Sequence, residues 1–355
     1  MGSKALGDRP RCDQGASRAH VELCSHQGVA DGLRRKRLPI SRTALVTDRS
    51  RVRLAIGLRS TAQSLSLVGL AADTFAQCGI DLEIAQIETA GPAGIDGLLQ
   101  GRWEFAEFGA IPVVQWAMEG KDPVILMAAE PVSALYILGG PGVSTANDLV
   151  GGRIGVLTRA GQTGYSALEM LDRWDLRDGV DLAELMKYPA IYDGLLRGDI
   201  RGGVLTADYR FAAPEGALSV LADLGKEFGF QGPLLATTRQ FLAANRDIVE
   251  RVVEGYSGAI RAFKTRPDIA VPVLQKHLPF VDVDGIARIH AFYAARFSDI
   301  PRPSVAGLEA VIESCSQKAA GERLLAVGDV YEPGVLDALE RRGIFDANVS
   351  STMKV

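Results

Sequence analysis

Five short segments of the sequence concentrate the side chains that could handle a small molecule: Arg59-Ser60-Thr61-Ala62-Gln63, Glu88-Thr89-Ala90-Gly91-Pro92, Gly109-Ala110-Ile111, Arg159-Ala160-Gly161-Gln162-Thr163-Gly164 and Thr206-Ala207-Asp208-Tyr209. Hydroxyls, glycine-flanked backbone N–H groups and two arginines suit a carboxylate, a sulfonate or a similar oxyanion, because helix-start N–H groups and a forked guanidinium each offer several donors to one charge. Ser and Thr are favoured as helix N-caps in any protein, so a single loop of this kind has a purely structural explanation. Five of them, each after a strand, point to a shared cleft.

Groups for covalent or acid–base chemistry are scarcer. His277 and His290 fall in C-terminal helical patterns away from these loops, which disfavours a His-centred triad. None of the five loops contains a lysine, so Schiff-base chemistry is not expected. Glu88 and Asp208 are the main loop carboxylates, and either could bind a ligand amine as readily as serve as a base. Gly161 to Gly164 is not followed by Gly-Lys-Ser/Thr, and no Gly-x-Gly-x-x-Gly follows a strand, so nucleotide binding is disfavoured. The expectation is a binding cleft with no catalytic residue, no cofactor and no metal.

The elements that must hold these loops alternate short apolar runs with segments of helical period, the signature of an α/β chain with largely parallel sheet. Strands are expected at 52–57, 82–87, 103–108, 123–128, 133–138, 153–157, 182–188, 202–207, 218–224 and 234–237. Leu65, Val68, Ala72 and Phe75 share one helix face, and Gly79 ends that helix. The loop Gly139-Gly140-Pro141-Gly142 suits a chain passing between lobes, and the strand at 234–237 is expected to return to the first lobe. From Arg239 onward the pattern is helical. Phe241, Ile248, Val252, Tyr256, Ile260 and Phe263 lie on one face of a long helix or a pair, and four further helices cap the first lobe.

Of 355 residues 47% are hydrophobic, enough to bury a large core, and 39 basic against 43 acidic side chains give a net charge of −4. That balance excludes a generic nucleic-acid binder. The charge is unevenly spread: residues 1–50 carry ten basic and five acidic groups, leaving twenty-nine and thirty-eight for residues 51–355. The first fifty residues read as a disordered basic tail. Cys12, His20, Cys24 and His26 in that tail lack the paired Cys-x2-4-Cys spacing of a zinc site. The apolar stretch after Arg34-Arg35-Lys36-Arg37 is short and broken by Arg42, so no signal peptide is visible. No stretch is long and apolar enough to be a membrane span.

The order of motifs from Arg51 to Leu278 resembles the substrate-binding proteins of ABC importers of the nitrate, sulfonate and taurine type. The resemblance rests on Ala146-Asn147-Asp148-Leu149-Val150-Gly151-Gly152-Arg153-Ile154-Gly155-Val156, on Leu195-Leu196-Arg197-Gly198-Asp199-Ile200-Arg201-Gly202-Gly203-Val204, and on Thr238-Arg239-Gln240-Phe241-Leu242-Ala243-Ala244-Asn245-Arg246-Asp247-Ile248-Val249. It implies an α/β, two-lobed periplasmic-binding-protein type II fold with a cleft between lobes and a C-terminal helical cap. Residues 51–140 would begin lobe I, 141–233 form lobe II, and 234–355 complete lobe I and add the C-terminal helices. It also implies a small anionic ligand held by Arg59, Ser60, Gln63, Gly91, Gly109, Ala110, Ser133, Arg159, Thr163 and Thr206. An ABC permease would be the partner and the periplasm the location, although the absence of a visible signal leaves the cytoplasm open. The alternative is a cytoplasmic enzyme on the same scaffold, as in thiamine-pyrimidine synthases and an aromatic sulfinate desulfinase. Those relatives imply a reactive Cys, or His and Lys, where this chain has Arg59-Ser60-Thr61. A ligand-responsive sensor would use the same cleft.

Overall fold

The structure, a computed structural model, describes residues 49–87, 92–159, 161–316 and 325–346. The expected tail up to residue 48, with its two Cys and two His, lies outside the described residues, as do Glu88 and Gly91. Among the described residues ten strands form two sheets: β1 (Ser50–Ile56), β2 (Ile80–Ile87), β3 (Phe105–Phe108), β4 (Pro123–Met127), β5 (Leu135–Gly139), β6 (Arg153–Val156), β7 (Asp181–Glu184), β8 (Gly202–Thr206), β9 (Ser219–Asp223) and β10 (Leu234–Thr238). The first sheet has the order β2-β1-β3-β10-β4 and the second β7-β6-β8-β5-β9. Every residue of β3, β4 and β5 is buried, as expected of strands covered on both faces, and all but Glu107 are apolar.

The sheets are mixed rather than largely parallel. β1 runs parallel to β2 and β3, while β10 runs antiparallel to both β3 and β4. In the second sheet β6 is parallel to β7 and β8, and β5 is antiparallel to β8 and β9. The physical reason is the connectivity. β5 and β10 are the strands by which the chain arrives in a new sheet, so neither completes a strand–helix–strand unit within one sheet and neither is bound by the crossover geometry that keeps such units parallel. The passage out of the first sheet is residues 128–134, ahead of the Gly139-Gly140-Pro141-Gly142 loop where the sequence suggested it. Those glycines instead allow close packing: a Cβ at Gly140 would lie 2.9 Å from the Leu195 carbonyl oxygen.

The two passages between sheets lie against each other. Ser133 N donates to the Phe230 carbonyl at 2.9 Å, Gln231 Nε2 donates to the Glu130 carbonyl at 2.9 Å, and a Cβ at Gly232 would stand 2.5 Å from that same oxygen. This is the geometry of a double-stranded hinge.

Helices cover both faces of the first sheet. The Arg246–Thr265 helix buries Val249, Val252, Val253, Tyr256, Ile260 and Phe263; Asn245 separates it from the short Arg239–Ala244 helix. The C-terminal helices do more than cap the first lobe. Phe280 stacks on Tyr209 of the second lobe with centroids 4.5 Å apart, and Phe292 of the Val283–Arg296 helix meets Phe211 edge-on at 5.3 Å. Arg288 Nη2 donates to the Phe211 carbonyl at 3.0 Å. One continuous apolar core therefore runs from Leu54 and Tyr256 to Leu205, Tyr209 and Ile191. Burial of an aromatic ring such as Tyr209 contributes roughly 1.5–3 kcal/mol, so the seam between lobes is a packed interior.

Candidate functional site

The strand ends of the two sheets face one another across this seam. On the first lobe β1 ends at Ile56, and Gly57 turns the chain beside the Phe108 ring, where a Cβ would lie only 2.4 Å from a ring carbon. Leu58 N donates to Gln63 Oε1 at 3.0 Å, so the Gln63 side chain folds back onto its own loop. Ser60, Thr61 and Gln63 are buried. Half-buried Arg59 reaches the His277 carbonyl with Nη1 at 3.5 Å. His277 therefore packs against the first loop, contrary to the expectation from sequence that it lies apart from all strand-end loops. Burial, then the Arg59 charge, lower its pKa to about 4, so the ring is neutral near pH 7, and its buried Nε2 has no hydrogen-bond partner among the described residues.

The loop after β8 crosses the seam. Asp208 is completely buried. Its Oδ1 accepts from Thr61 Oγ1 at 2.6 Å, its Oδ2 accepts from Thr61 N at 3.2 Å, and Thr206 Oγ1 donates to Oδ2 at 3.1 Å. Among the described residues no Lys, Arg or His forms an ion pair with Asp208. Burial raises its pKa, and the hydrogen bonds from Thr61 and Thr206 oppose that shift.

Two more carboxylates are buried beside the seam. Glu107, in the all-apolar context of β3, accepts from Ser66 Oγ at 2.6 Å, and burial lifts its pKa to about 7. It lines a small cavity of about 10 Å³ with Ala62, Leu65, Met127, Ala129 and Tyr256, roughly the space one water needs. Glu130, in the first passage, pairs with Arg296 at 3.2 Å, while Arg296 Nη2 also donates to the Val132 carbonyl at 2.6 Å. Burial outweighs the attraction of Arg296 and again lifts the pKa to about 7.

The remaining expected site residues divide into two groups. Gly109 and Ala110 open the Ala110–Met118 helix, and a Cβ at Gly109 would lie 4.0 Å from Gln162 Oε1, so this loop faces the start of the Gln162–Arg173 helix of the other lobe. Tyr165, one turn on in that helix, packs on Phe230 at 5.7 Å. Ser133 lies in the hinge and Thr206 at the Asp208 contact. Thr163 accepts from Leu157 N at 3.0 Å, tying its helix to the end of β6. Arg159 is exposed; its backbone N–H donates to Glu184 Oε2 at 3.0 Å and its guanidinium stands 3.9 Å from Oε1. The structure thus sets Ser60 and its neighbours Arg59 and Gln63 on the first lobe opposite Thr206 of the second at the Thr61–Asp208 contact, sets Gly109 and Ala110 of the first lobe opposite the start of the Gln162–Arg173 helix, and directs Arg159 along the edge of the second sheet.

Sequence reasoning named Thr61 and Asp208 within their loops but not among the expected ligand contacts, and it passed over Glu107, Glu130 and Arg296. A carboxylate inside an otherwise unbroken apolar strand, as in Phe105-Ala106-Glu107-Phe108, is the local signal that could have found the first of these.

No protein-family model matches the chain, and no curated protein sequence matches it. Solved structures do. The periplasmic aliphatic sulphonate binding protein SsuA from Escherichia coli is 16% identical with a TM-score of 0.64, over 80% of this chain and 92% of that one. The alkanesulfonate-binding protein SsuA from Xanthomonas axonopodis pv. citri, bound to MOPS, is 17% identical with a TM-score of 0.63, over 80% and 99%. A ligand-binding component of an ABC-type import system from Staphylococcus aureus, with zinc bound, is 15% identical with a TM-score of 0.66, over 81% and 98%. The chain has the two-lobed type II periplasmic-binding fold.

Proposed function

We propose that the protein is the solute-binding component of an ABC importer and captures a small organic anion of the sulfonate, taurine, nitrate or aromatic carboxylate class between its lobes. The observation that carries this reading is the hinge: two sheets whose strand-end loops face each other, joined by two passages that pack side by side at Glu130 and Gly232. Such a scaffold can open to admit a ligand and close over it. The sulfonate-binding proteins that share the fold support the ligand class. Arg59 supplies the positive charge on the first lobe, and the Gly109 loop and the start of the Gln162–Arg173 helix supply N–H donors from opposite sides. The permease is the partner in this reading and the periplasm the location. Among the described residues no helix is long and apolar enough to cross a membrane.

The test is a thermal-shift panel of taurine, alkanesulfonates, aromatic carboxylates and nitrate. A ligand at one hundred times its Kd adds about 2.7 kcal/mol to stability, a shift easily read. Arg59→Ala is expected to abolish the response to whichever anion shifts the wild type. A panel with no response defeats the anion-binding reading, and turnover of a bound compound defeats the transport reading.

A further inference from the structure

The contact between Asp208 and Thr61 joins two loops that are 147 residues apart in sequence, and each of those loops, taken alone, has the composition of an anion site. In the folded chain they are not two half-sites awaiting a guest. A carboxylate already sits there, held by one backbone N–H and one hydroxyl of the first lobe and by the Thr206 hydroxyl of its own lobe. It is fully buried and has no ion pair among the described residues, which distinguishes it from the hinge carboxylate Glu130 with its Arg296. Thr61, its main donor, is also fully buried.

We propose that Asp208 is a built-in ligand of the cleft: an intramolecular carboxyl group that occupies the Thr61 and Thr206 donors, holds the lobes together while no solute is bound, and must be displaced when an anionic solute takes those donors. This rests on the anion-binding reading and deepens it by naming the residue that sets the threshold for ligand affinity. A solute that replaces the carboxylate inherits three donors already in place. One that merely lies beside it finds the Thr61 and Thr206 donors already engaged. Asp208 therefore selects for solutes whose own anionic group fits where a carboxylate fits.

The experiment asks whether the position accepts a foreign carboxylate once its own is removed. Asp208→Ala leaves the three donors and a space the size of formate. Sodium formate, against sodium chloride at equal ionic strength, is expected to give Asp208→Ala a saturable rise in Tm of about 3 °C near ten times its Kd. It should give none in the wild type or in Asp208→Ala combined with Thr61→Val. Equal formate effects on all three proteins, or none on any, overturn the proposal. Should Asp208→Ala not fold, Asp208→Asn keeps the volume and one acceptor oxygen, and amide exchange decides. Protection of the Thr61 N–H is expected to fall about tenfold while that of Leu54 and Ile56 in the same lobe is unchanged; unchanged protection at Thr61 overturns the proposal. Both readouts are independent of the native solute. A failed anion panel together with formate rescue would therefore condemn the ligand class and leave the contact standing, whereas a successful panel without rescue would do the reverse.

Discussion

Replacing Glu107 by Gln isolates the cost of burying a charge next to the cleft. Glu107 is 4% exposed, its oxygens are approached by Ser66 Oγ at 2.6 Å and Ser66 N at 3.4 Å, and the remaining wall of its cavity is mostly aliphatic. Gln fills the same volume and keeps an oxygen for Ser66. Burial raises the pKa from 4.5 to about 7, so between those values the native chain holds a proton that the unfolded chain has released. Stability therefore falls as pH rises through that window. At about 1.4 kcal/mol per pKa unit the ionised form costs the native state on the order of 3 kcal/mol above pH 7. Gln avoids that cost at high pH and gains nothing below pH 4.5, where both side chains are neutral. For a chain of this size, at about 2 °C per kcal/mol, Glu107→Gln should melt roughly 6 °C above the wild type at pH 8.5, with no difference at pH 4.5. The assay is a pair of thermal melts across that range. A difference that stays constant with pH would refute the assignment of Glu107 as a buried acid forced to ionise.

Arg296→Met leaves Glu130 buried without its cation and is expected to cost about 3 kcal/mol by urea unfolding at pH 8. Because the Glu130 pKa is about 7, the loss should shrink toward pH 5, where the carboxyl takes up a proton, and adding Glu130→Gln should restore most of it. His277 has the opposite sign. Its folded pKa is about 4 against 6.5, so between those values the unfolded chain binds a proton that the native chain refuses. Acidification from pH 6.5 to 4 should therefore destabilise the wild type by up to about 3 kcal/mol more than His277→Gln, measured as a difference of unfolding free energies at matched pH.

The strands were legible because most are short runs of apolar or alternating residues bounded by turn residues, and ten were expected where ten occur among the described residues. Their directions were not. Whether a strand runs parallel depends on whether the chain returns over a sheet or passes to another one, and nothing local to β5 or β10 records that. The segment 182–188 shows how punctuation can mislead. Its apolar content reads as one strand, yet β7 stops at Glu184, Met186 takes a left-handed φ of 62°, and Tyr188-Pro189 opens a helix whose first turn accommodates proline. Asp73, with φ 57°, likewise breaks a helical pattern that reads as continuous. The Ala207–Ala212 and Leu224–Phe228 helices are too short to show a period at all.

The site was legible as a set of donors but not as a circuit. A sequence shows that Gln63, Thr61 and Thr163 can hydrogen-bond; it does not show that Gln63 and Thr163 turn to the N–H groups of Leu58 and Leu157, or that Thr61 is already engaged by Asp208. Only the fold, by closing a loop of 147 residues, decides which donors are free for a guest. The same closure changes what the charge count means. Residues 51–355 carry an excess of nine acidic groups, which taken as surface charge would leave the attraction of an anion to local arginines and N–H groups. Three of those acids are instead buried along the seam, with Arg296 the one cation paired to any of them among the described residues. Burial raises the pKa of each of the three, so the acidic excess overstates the negative charge that an approaching anion meets at the surface. An anionic solute gains from the Thr61 and Thr206 donors only by taking the place of the Asp208 carboxyl group that holds them, so its affinity is the difference between two groups competing for one set of hydrogen bonds.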